Sequence, residues 1–374
     1  MKLESLAAGA LLLGVAASLK IALANVLLGI AFLAWTIVLA TGRARRPSTA
    51  LLVPVAVYIA VSILSAAVSA DPRLSFSNLG DLLTLGLIPM IVSLLDGRRW
   101  DRLLLLLALV SSASAVVGLA QYAQGASTLE NRLHGLANHY MTFAGWTLAV
   151  TLLLLADMAF SRDRRRLIWT APATLLGAGT LALSLTRGAW VGFAVAIALM
   201  AVLSSSRILL LVPLAAVILL LAMPRAVVER AVSIVDLDQP SVQERVFMLR
   251  AGIRMVRDHP ILGVGPGMVQ PAYANYRETE APARVPHLHN NAMQIAAERG
   301  LVGLAAYLGI LLVFAVHVWR ALRLPNQVSR PAIIGCLLAV VGVTVAGVFE
   351  YNWGDAEVWI VTLVCLAAPF AEER

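Results

Sequence analysis

Stretches of apolar side chains long enough to cross a bilayer, set apart by short loops that carry arginine, recur along almost the whole of this chain. A helical span needs about 20 such residues. Candidate spans occupy residues 5–19, 22–40, 50–68, 79–95, 103–121, 140–158, 167–185, 189–203, 208–223, 301–318, 332–348 and 358–370, the first two running together around Lys20. Of the 374 residues, 60% are hydrophobic and 13% charged, and the mean hydropathy is +0.84. A soluble domain of this size has no way to hide that much apolar surface. The expected fold class is an all-α polytopic membrane protein with about twelve transmembrane helices.

The net charge of +8 comes almost wholly from arginine, because Lys2 and Lys20 are the only lysines. In a soluble protein a pI near 10.1 would raise nucleic acid as a partner. Here the arginines cluster in loops, which points to topology and to the anionic headgroups of membrane lipid, with no nucleic acid. Arg43, Arg45 and Arg46 follow the second span, and Arg98, Arg99 and Arg102 the fourth. Arg162, Arg164, Arg165 and Arg166 follow the sixth, Arg207 the eighth, and Arg320, Arg323 and Arg330 the tenth. The connections between carry fewer positive charges, so the positive-inside rule puts both termini in the cytoplasm and the odd-numbered loops outside. The amino terminus reads as a retained first span, with no small-residue cleavage site. Cys336 and Cys365 fall inside apolar segments and imply no disulfide framework.

One outward connection, from Pro224 to about Gly300, stands apart, since loops this long are uncommon without a function. It divides the chain into transmembrane helices over 1–223, an outward loop domain over 224–300 and further transmembrane helices over 301–374. Ser241-Val242-Gln243-Glu244 has the pattern of a capping box, with a helix expected from there to Asp258, ended by Pro260. Leu249, Ile253 and Val256 make its expected apolar stripe, and Arg250, Arg254 and Arg257 a basic one facing headgroups or solvent. The cluster Gly263-Val264-Gly265-Pro266-Gly267 is expected to be a turn: it lacks the Lys-Ser/Thr of a phosphate loop. Residues 291–298 read as a helix leading into the tenth span.

The chemistry-bearing residues gather on the outward side. His287 and His289 lie in Pro286-His287-Leu288-His289-Asn290-Asn291, and imidazole exchanges protons near neutral pH. Asn290, Gln294 and Glu298 recur at helical spacing beside His289, and polar groups at membrane depth call for a functional explanation. A two-residue spacing without a third ligand nearby argues against zinc, so no metal is expected. Arg187, in the tight turn Ser184-Leu185-Thr186-Arg187-Gly188-Ala189-Trp190, either snorkels to the interface or meets an anion; positive charge is scarce on that side, which favours the anion. Arg245 is expected in the first turn of its helix, where it opposes the macrodipole unless something negative offsets it. That partner is either Glu244 or Glu278, or a phosphate gripped by the guanidinium fork. His134, Asn138 and His139, before the sixth span, either line the same cavity or cap a helix. Asp71 and the group Glu350, Tyr351, Asn352 and Asp355 are also outward and could contact polar substrate, but no pair of carboxylates has the local spacing of a hydrolase dyad.

Three segments in this order resemble the O-antigen ligase and O-antigen polymerase superfamily of bacterial envelope glycosyltransferases. They are the Ser-x-x-Arg-Gly-Ala-Trp turn at Arg187, the Arg245 helix leading to Asp258-His259-Pro260-Ile261-Leu262-Gly263-Val264-Gly265, and the His-x-His-Asn motif followed by Glu298-Arg299-Gly300-Leu301-Val302-Gly303. The last is the most specific, and the resemblance runs over the whole chain. It implies a GT-C-like fold in the inner membrane with a periplasmic loop domain. It also implies metal-independent transfer of a glycan from undecaprenyl pyrophosphate to an acceptor, which in ligases is a lipid A core sugar hydroxyl. By motif match His289 takes the catalytic position, and Arg187 and Arg245 the pyrophosphate-binding ones. His287, Asn290, Gln294, Glu298, His134 and His139 are possible supporting residues, and no cofactor is implied.

The short tail and single dominant loop lean towards a ligase over a polymerase, which would extend lipid-linked repeats. A polytopic transporter is the competitor from another class, but transporters tend to show repeated halves and midplane sites, and the halves of this chain do not look alike.

Overall fold

The computed structural model describes residues 2–42, 47, 49–204, 225–232, 239–324 and 330–371. The expected ninth span, 208–223, and the loop arginines Arg43, Arg45, Arg46 and Arg207 lie outside them. Among the described residues the chain is helical throughout, with one isolated bridge between Ser127 and Arg132 and no strand. The helices are α1 (Lys2–Ala16), α2 (Ile21–Ala40), α3 (Leu52–Val68), α4 (Pro72–Ser77), α5 (Leu87–Leu94), α6 (Gly97–Ala123), α7 (Tyr140–Phe160) and α8 (Leu167–Leu183). Then come α9 (Arg187–Leu203), α10 (Arg225–Val232), α11 (Pro240–Asp258), α12 (Val269–Tyr276), α13 (Asn291–Arg323), α14 (Arg330–Ala346) and α15 (Ala356–Ala371). Five stretches are long and apolar enough to cross a membrane: Ile21–Ala40, Pro72–Leu94, Gly97–Ala123, Tyr140–Phe160 and Asn291–Arg323. Shorter apolar helices are α3, α9, α14 and α15.

Helix α7 runs through the centre, with Phe143, Trp146, Leu148, Val150, Leu152 and Leu154 wholly buried. It packs on α8, α14 and α15, while α1 pairs with α2, α3 with α13, α5 with α15 and α9 with α14. Outer faces stay apolar: Leu33 on α2, Val53 on α3, Leu175 on α8 and Leu312 on α13 are exposed. That is the arrangement expected where the surroundings are lipid. At one end of the bundle the charges pair among themselves. Arg99 meets Glu4 at 2.9 Å, and Arg166 meets Asp101 at 2.8 Å and Asp157 at 3.0 Å.

Three expectations need correction. The fourth span, expected as one helix over 79–95, is a 3-10 helix over Gly80–Gly86 followed by α5. Glycine at both ends loosens the first segment, and Pro89 fits the first turn of α5, where its missing N–H costs nothing. The capping box is not formed: Gln239 is the N-cap, Pro240 takes the first helical position, and no side chain caps the end. Arg245 therefore sits in the second turn of α11, where a macrodipole penalty is weaker. The apolar stripe of Leu249, Ile253 and Val256 is divided: Val256 packs against the core of the loop, but the other two do not. Met248, Ala251, Gly252 and Met255 are buried, whereas Leu249 and Ile253 are 40% and 51% exposed.

Residues of the long connection hold a small core of their own: Met248, Met255, Val264, Met268, Tyr273 and Leu288 pack together with Ala297 of α13. The glycine turn docks along the start of α13, Val264 N–H donating to the Ala297 carbonyl at 2.8 Å and Gly265 N–H to that of Glu298 at 2.9 Å. The helix expected over 291–298 is present, but it does not run straight into the tenth span: at Gly300 the backbone breaks, with φ 66° and ψ −172°. A Cβ at Gly300 would lie 2.1 Å from the Ile261 carbonyl oxygen.

Candidate active site

The site is assembled by side-chain amides. Asn290 caps α13 by accepting Met293 N–H at 2.8 Å and donates to the Val348 carbonyl at 2.9 Å. Asn291 donates to Asn352 at 2.7 Å and accepts Trp353 N–H at 3.0 Å. Together they clamp the 347–353 connection against the histidine motif, which brings Glu350 to His289. His289 has a left-handed backbone, φ 49°, uncommon for a residue with a Cβ. Gln294 holds the loop before it, accepting Leu288 N–H at 2.8 Å and donating to Glu298 at 2.9 Å.

Glu298 is buried and pairs with buried Arg299, and its Oε1 accepts Gly267 N–H at 3.0 Å. Arg299 donates to Ser62 at 2.9 Å. Asn290, Gln294 and Glu298 thus hold His289 in place and also border the cavities beside it, Gln294 and Glu298 the larger and Asn290 the smaller.

The His289 ring nitrogen Nδ1 lies 2.9 Å from Glu350 Oε1 and 3.0 Å from Oε2. His287 stands against His289, ring centroids 4.2 Å apart, with its Nε2 3.7 Å from Glu350 Oε1. Burial alone would raise the Glu350 pKa, but the His289 hydrogen bond and the two neighbouring imidazoles outweigh it and hold the carboxyl below its ordinary value. Burial, with His289 beside it, pushes His287 down to about 4, so it is neutral near pH 7. An ionised carboxylate only accepts, which places the Nδ1 proton of His289 on the bond to Glu350 and leaves Nε2 as the free acceptor. His287, His289 and Glu350 offer ligand atoms within 4.8 Å of one another, the third ligand that the sequence spacing lacked for a divalent ion.

His139 both caps α7, accepting Met141 N–H at 3.3 Å, and lines the cavity in front of His289. Burial lowers its pKa. His134 binds its own loop, Nδ1 2.7 Å from the Ala137 carbonyl oxygen, and lines neither cavity. Asp71 caps α4, accepting Leu74 N–H at 3.0 Å.

Two cavities meet at this point. One, about 960 Å³, is polar and is lined by His139, His287, Gln270, Glu244, Asp81 and Glu357 among others. The other, about 410 Å³, has an apolar wall of Leu185, Ala189, Val246, Leu249, Val348 and Phe349 and is lined by four arginines, Arg132, Arg187, Arg230 and Arg245. Tyr140, Ser241, Arg245, His289, Glu350 and Asp355 line both.

The turn into α9, where Leu185 has φ 54°, presents Arg187, which donates to the Ser241 hydroxyl at 2.9 Å. Arg245, one turn further along α11, reaches the Ser241 carbonyl at 3.5 Å, and its buried Nε has no hydrogen-bond partner among the described residues. Neither expected carboxylate neutralises Arg245 by an ion pair among the described residues: Glu278 is taken by Arg250 at 3.2 Å and Arg254 at 2.6 Å. Asp355 accepts the Thr142 hydroxyl at 2.7 Å, and burial together with its bond to Glu357 pushes its pKa up to about 7.

The structure therefore brings Arg187, Arg245, His289 and His287 to one place. Glu350, Arg132 and Arg230 join them there. Glu350 had shown in the sequence only as part of an outward polar group, and the two arginines had carried no signal of their own. No curated protein matches the chain. A family model described as O-Antigen ligase matches residues 172–308, the stretch that holds Arg187, Arg245 and His289. Over that stretch the chain is similar to the O-antigen ligase family, and the match supports glycan transfer of the O-antigen ligase and polymerase type, by a glycosyltransferase-like enzyme acting on lipid-linked glycan.

Proposed function

We propose that this protein moves a glycan from undecaprenyl pyrophosphate to a sugar hydroxyl of the lipid A core on the periplasmic face of the inner membrane, crossing that membrane about twelve times with both termini in the cytoplasm. The observation that carries this reading is the meeting of the two cavities at His289. An apolar, arginine-lined cavity suits a lipid with an anionic headgroup. A polar cavity suits the hydroxyl-rich acceptor.

In the proposed step the acceptor oxygen attacks the anomeric carbon and the bond from that carbon to the diphosphate oxygen breaks. The hydroxyl proton passes to His289 Nε2, and the electron pair leaves on the diphosphate. A sugar hydroxyl is a poor nucleophile near neutral pH, so a base within hydrogen-bond reach accelerates attack by about 10² to 10⁴-fold. Glu350 orients the ring and stabilises the imidazolium that forms. Arg187 and Arg245 meet the charge growing on the leaving group in a water-poor site. Direct displacement inverts the anomeric configuration. No metal takes part, the histidines and Glu350 serving proton transfer instead.

Reconstitution with a polyprenyl-pyrophosphate glycan and His289→Ala tests this. Transfer should be abolished while membrane insertion is unaffected; full transfer by the variant removes His289 from the reaction. Offering separate acceptors decides the acceptor. Elongation of lipid-linked repeats in place of lipid A core would make the protein a polymerase with the same donor chemistry.

A further inference from the structure

We propose that Arg132 and Arg230 complete, with Arg187 and Arg245, a four-guanidinium cradle that selects a lipid-linked diphosphate over a monophosphate. The proposal rests on the transferase reading above and extends it to two residues and to the charge of the donor. The four arginines come from separate parts of the chain: the loop between α6 and α7, the first residue of α9, the last turn of α10 and the second turn of α11. All four line the same cavity of about 410 Å³.

Their mutual approach is visible in their electrostatics. Burial lowers the pKa of Arg230, to about 10, and Arg187, Arg132 and Arg245 each lower it further. Arg132 is lowered by burial and by Arg245. Each is held in place by local contacts. The Arg230 Nε donates to the Leu185 carbonyl at 3.4 Å, beside the turn that carries Arg187. Arg132 donates to the Leu129 carbonyl at 3.0 Å and lies over the Tyr140 ring at 4.3 Å, and Tyr140 borders both cavities.

Gathering like charges in a partly buried space is unfavourable unless an anion joins them. Only two carboxylates line this cavity among the described residues, Glu350 and Asp355; the first is committed to His289 and the second is half-protonated near pH 7. A single phosphodiester, with one charge, offers too few oxygens for four forks directed from four elements. Two linked phosphates offer more oxygens and more charge, and guanidinium grips such oxygens in pairs.

The test measures binding of inorganic pyrophosphate and of inorganic phosphate to the detergent-solubilised full chain, at several salt concentrations, for Arg132→Gln, Arg230→Gln, Arg187→Gln and Arg245→Gln. Arg250→Gln is the control, because Arg250 pairs with Glu278 and lines neither cavity. Pyrophosphate should bind the parent at least about tenfold more tightly than phosphate, and each of Arg132→Gln and Arg230→Gln should weaken it by about tenfold or more. The salt dependence should also flatten in both, which a merely structural role would not produce. Arg230→Lys should retain part of the affinity. If Arg187→Gln and Arg245→Gln weaken binding while Arg132→Gln and Arg230→Gln behave like Arg250→Gln, the cradle is refuted and the two-arginine site stands. If all four bind pyrophosphate as the parent does, the cavity is not the diphosphate site and both fall. Equal binding of phosphate and pyrophosphate refutes the selectivity.

Discussion

His289 and Glu350 are 61 positions apart and share a hydrogen bond, which is why the first was legible in the sequence and the second was not. A histidine followed by two amides ahead of an apolar run has a local signature; its partner is set only when Asn291 ties α13 to the 347–353 connection. Arg187 and Arg245 stood out for a related reason, one in a tight turn and one in an amphipathic helix, whereas nothing near Arg132 or Arg230 marks either as part of a shared cavity. Glu350→Gln should keep the fold and lower kcat by about 10²-fold with little change in donor KM, read in the reconstituted transfer assay, because only the orientation and charge of the base are altered. Chelation should leave transfer intact, while added zinc should inhibit it through His287, His289 and Glu350, less so in His287→Ala. Loss of transfer on chelation, restored by metal, would turn those three groups into a metal centre. Asp355 gives a pH signature. Its folded pKa is raised to about 7, so it is neutral below that pH and its carboxylate charge enters the arginine-lined cavity above it. Donor KM should rise as pH passes upward through about 7, and the KM profile of Asp355→Asn should be flat over that range. The stability linked to this group has the same sign, present at low pH and lost as pH rises through about 7.

Among the elements, α13 and α11 show what periodicity can and cannot tell. The break at Gly300 was not legible, but the polar helical segment ahead of the apolar span was, from the spacing of Asn290, Gln294 and Glu298. The buried face of α11 was not. Counting large aliphatics selects Leu249 and Ile253, but close contact with α13 selects Ala251 and Gly252, and Leu249 walls the arginine-lined cavity instead. The missing capping box follows the same logic, since Ser241 is engaged by Arg187 instead of by its own helix. Gly300→Ala should be among the most damaging single changes to stability. Its φ and ψ belong to a region open essentially to glycine, and the added carbon would overlap the Ile261 carbonyl. A loss of more than about 3 kcal/mol, read as a large drop in thermal stability in detergent, is expected.

For the whole molecule, the apolar runs announced the class and most of the helices, because the demand that a bilayer makes on length and polarity is written locally. How the helices pack was not, since each is apolar nearly all round and its neighbours are chosen by shape. Sidedness can be read directly, because the native Cys336 and Cys365 are buried and should stay silent to a membrane-impermeant thiol reagent. A cysteine at exposed Glu130 should label from the periplasm of intact cells, and one at exposed Arg164 only after permeabilisation; the reverse pattern would invert the topology. The partition that Arg245, His289 and Glu350 form between the two cavities also dictates a kinetic order of events. On the proposed reading donor and acceptor sit on opposite sides of the same imidazole, so neither has to leave before the other arrives, and the enzyme has no reason to carry the sugar on itself. Initial-velocity plots against the two substrates should intersect, as for a ternary complex.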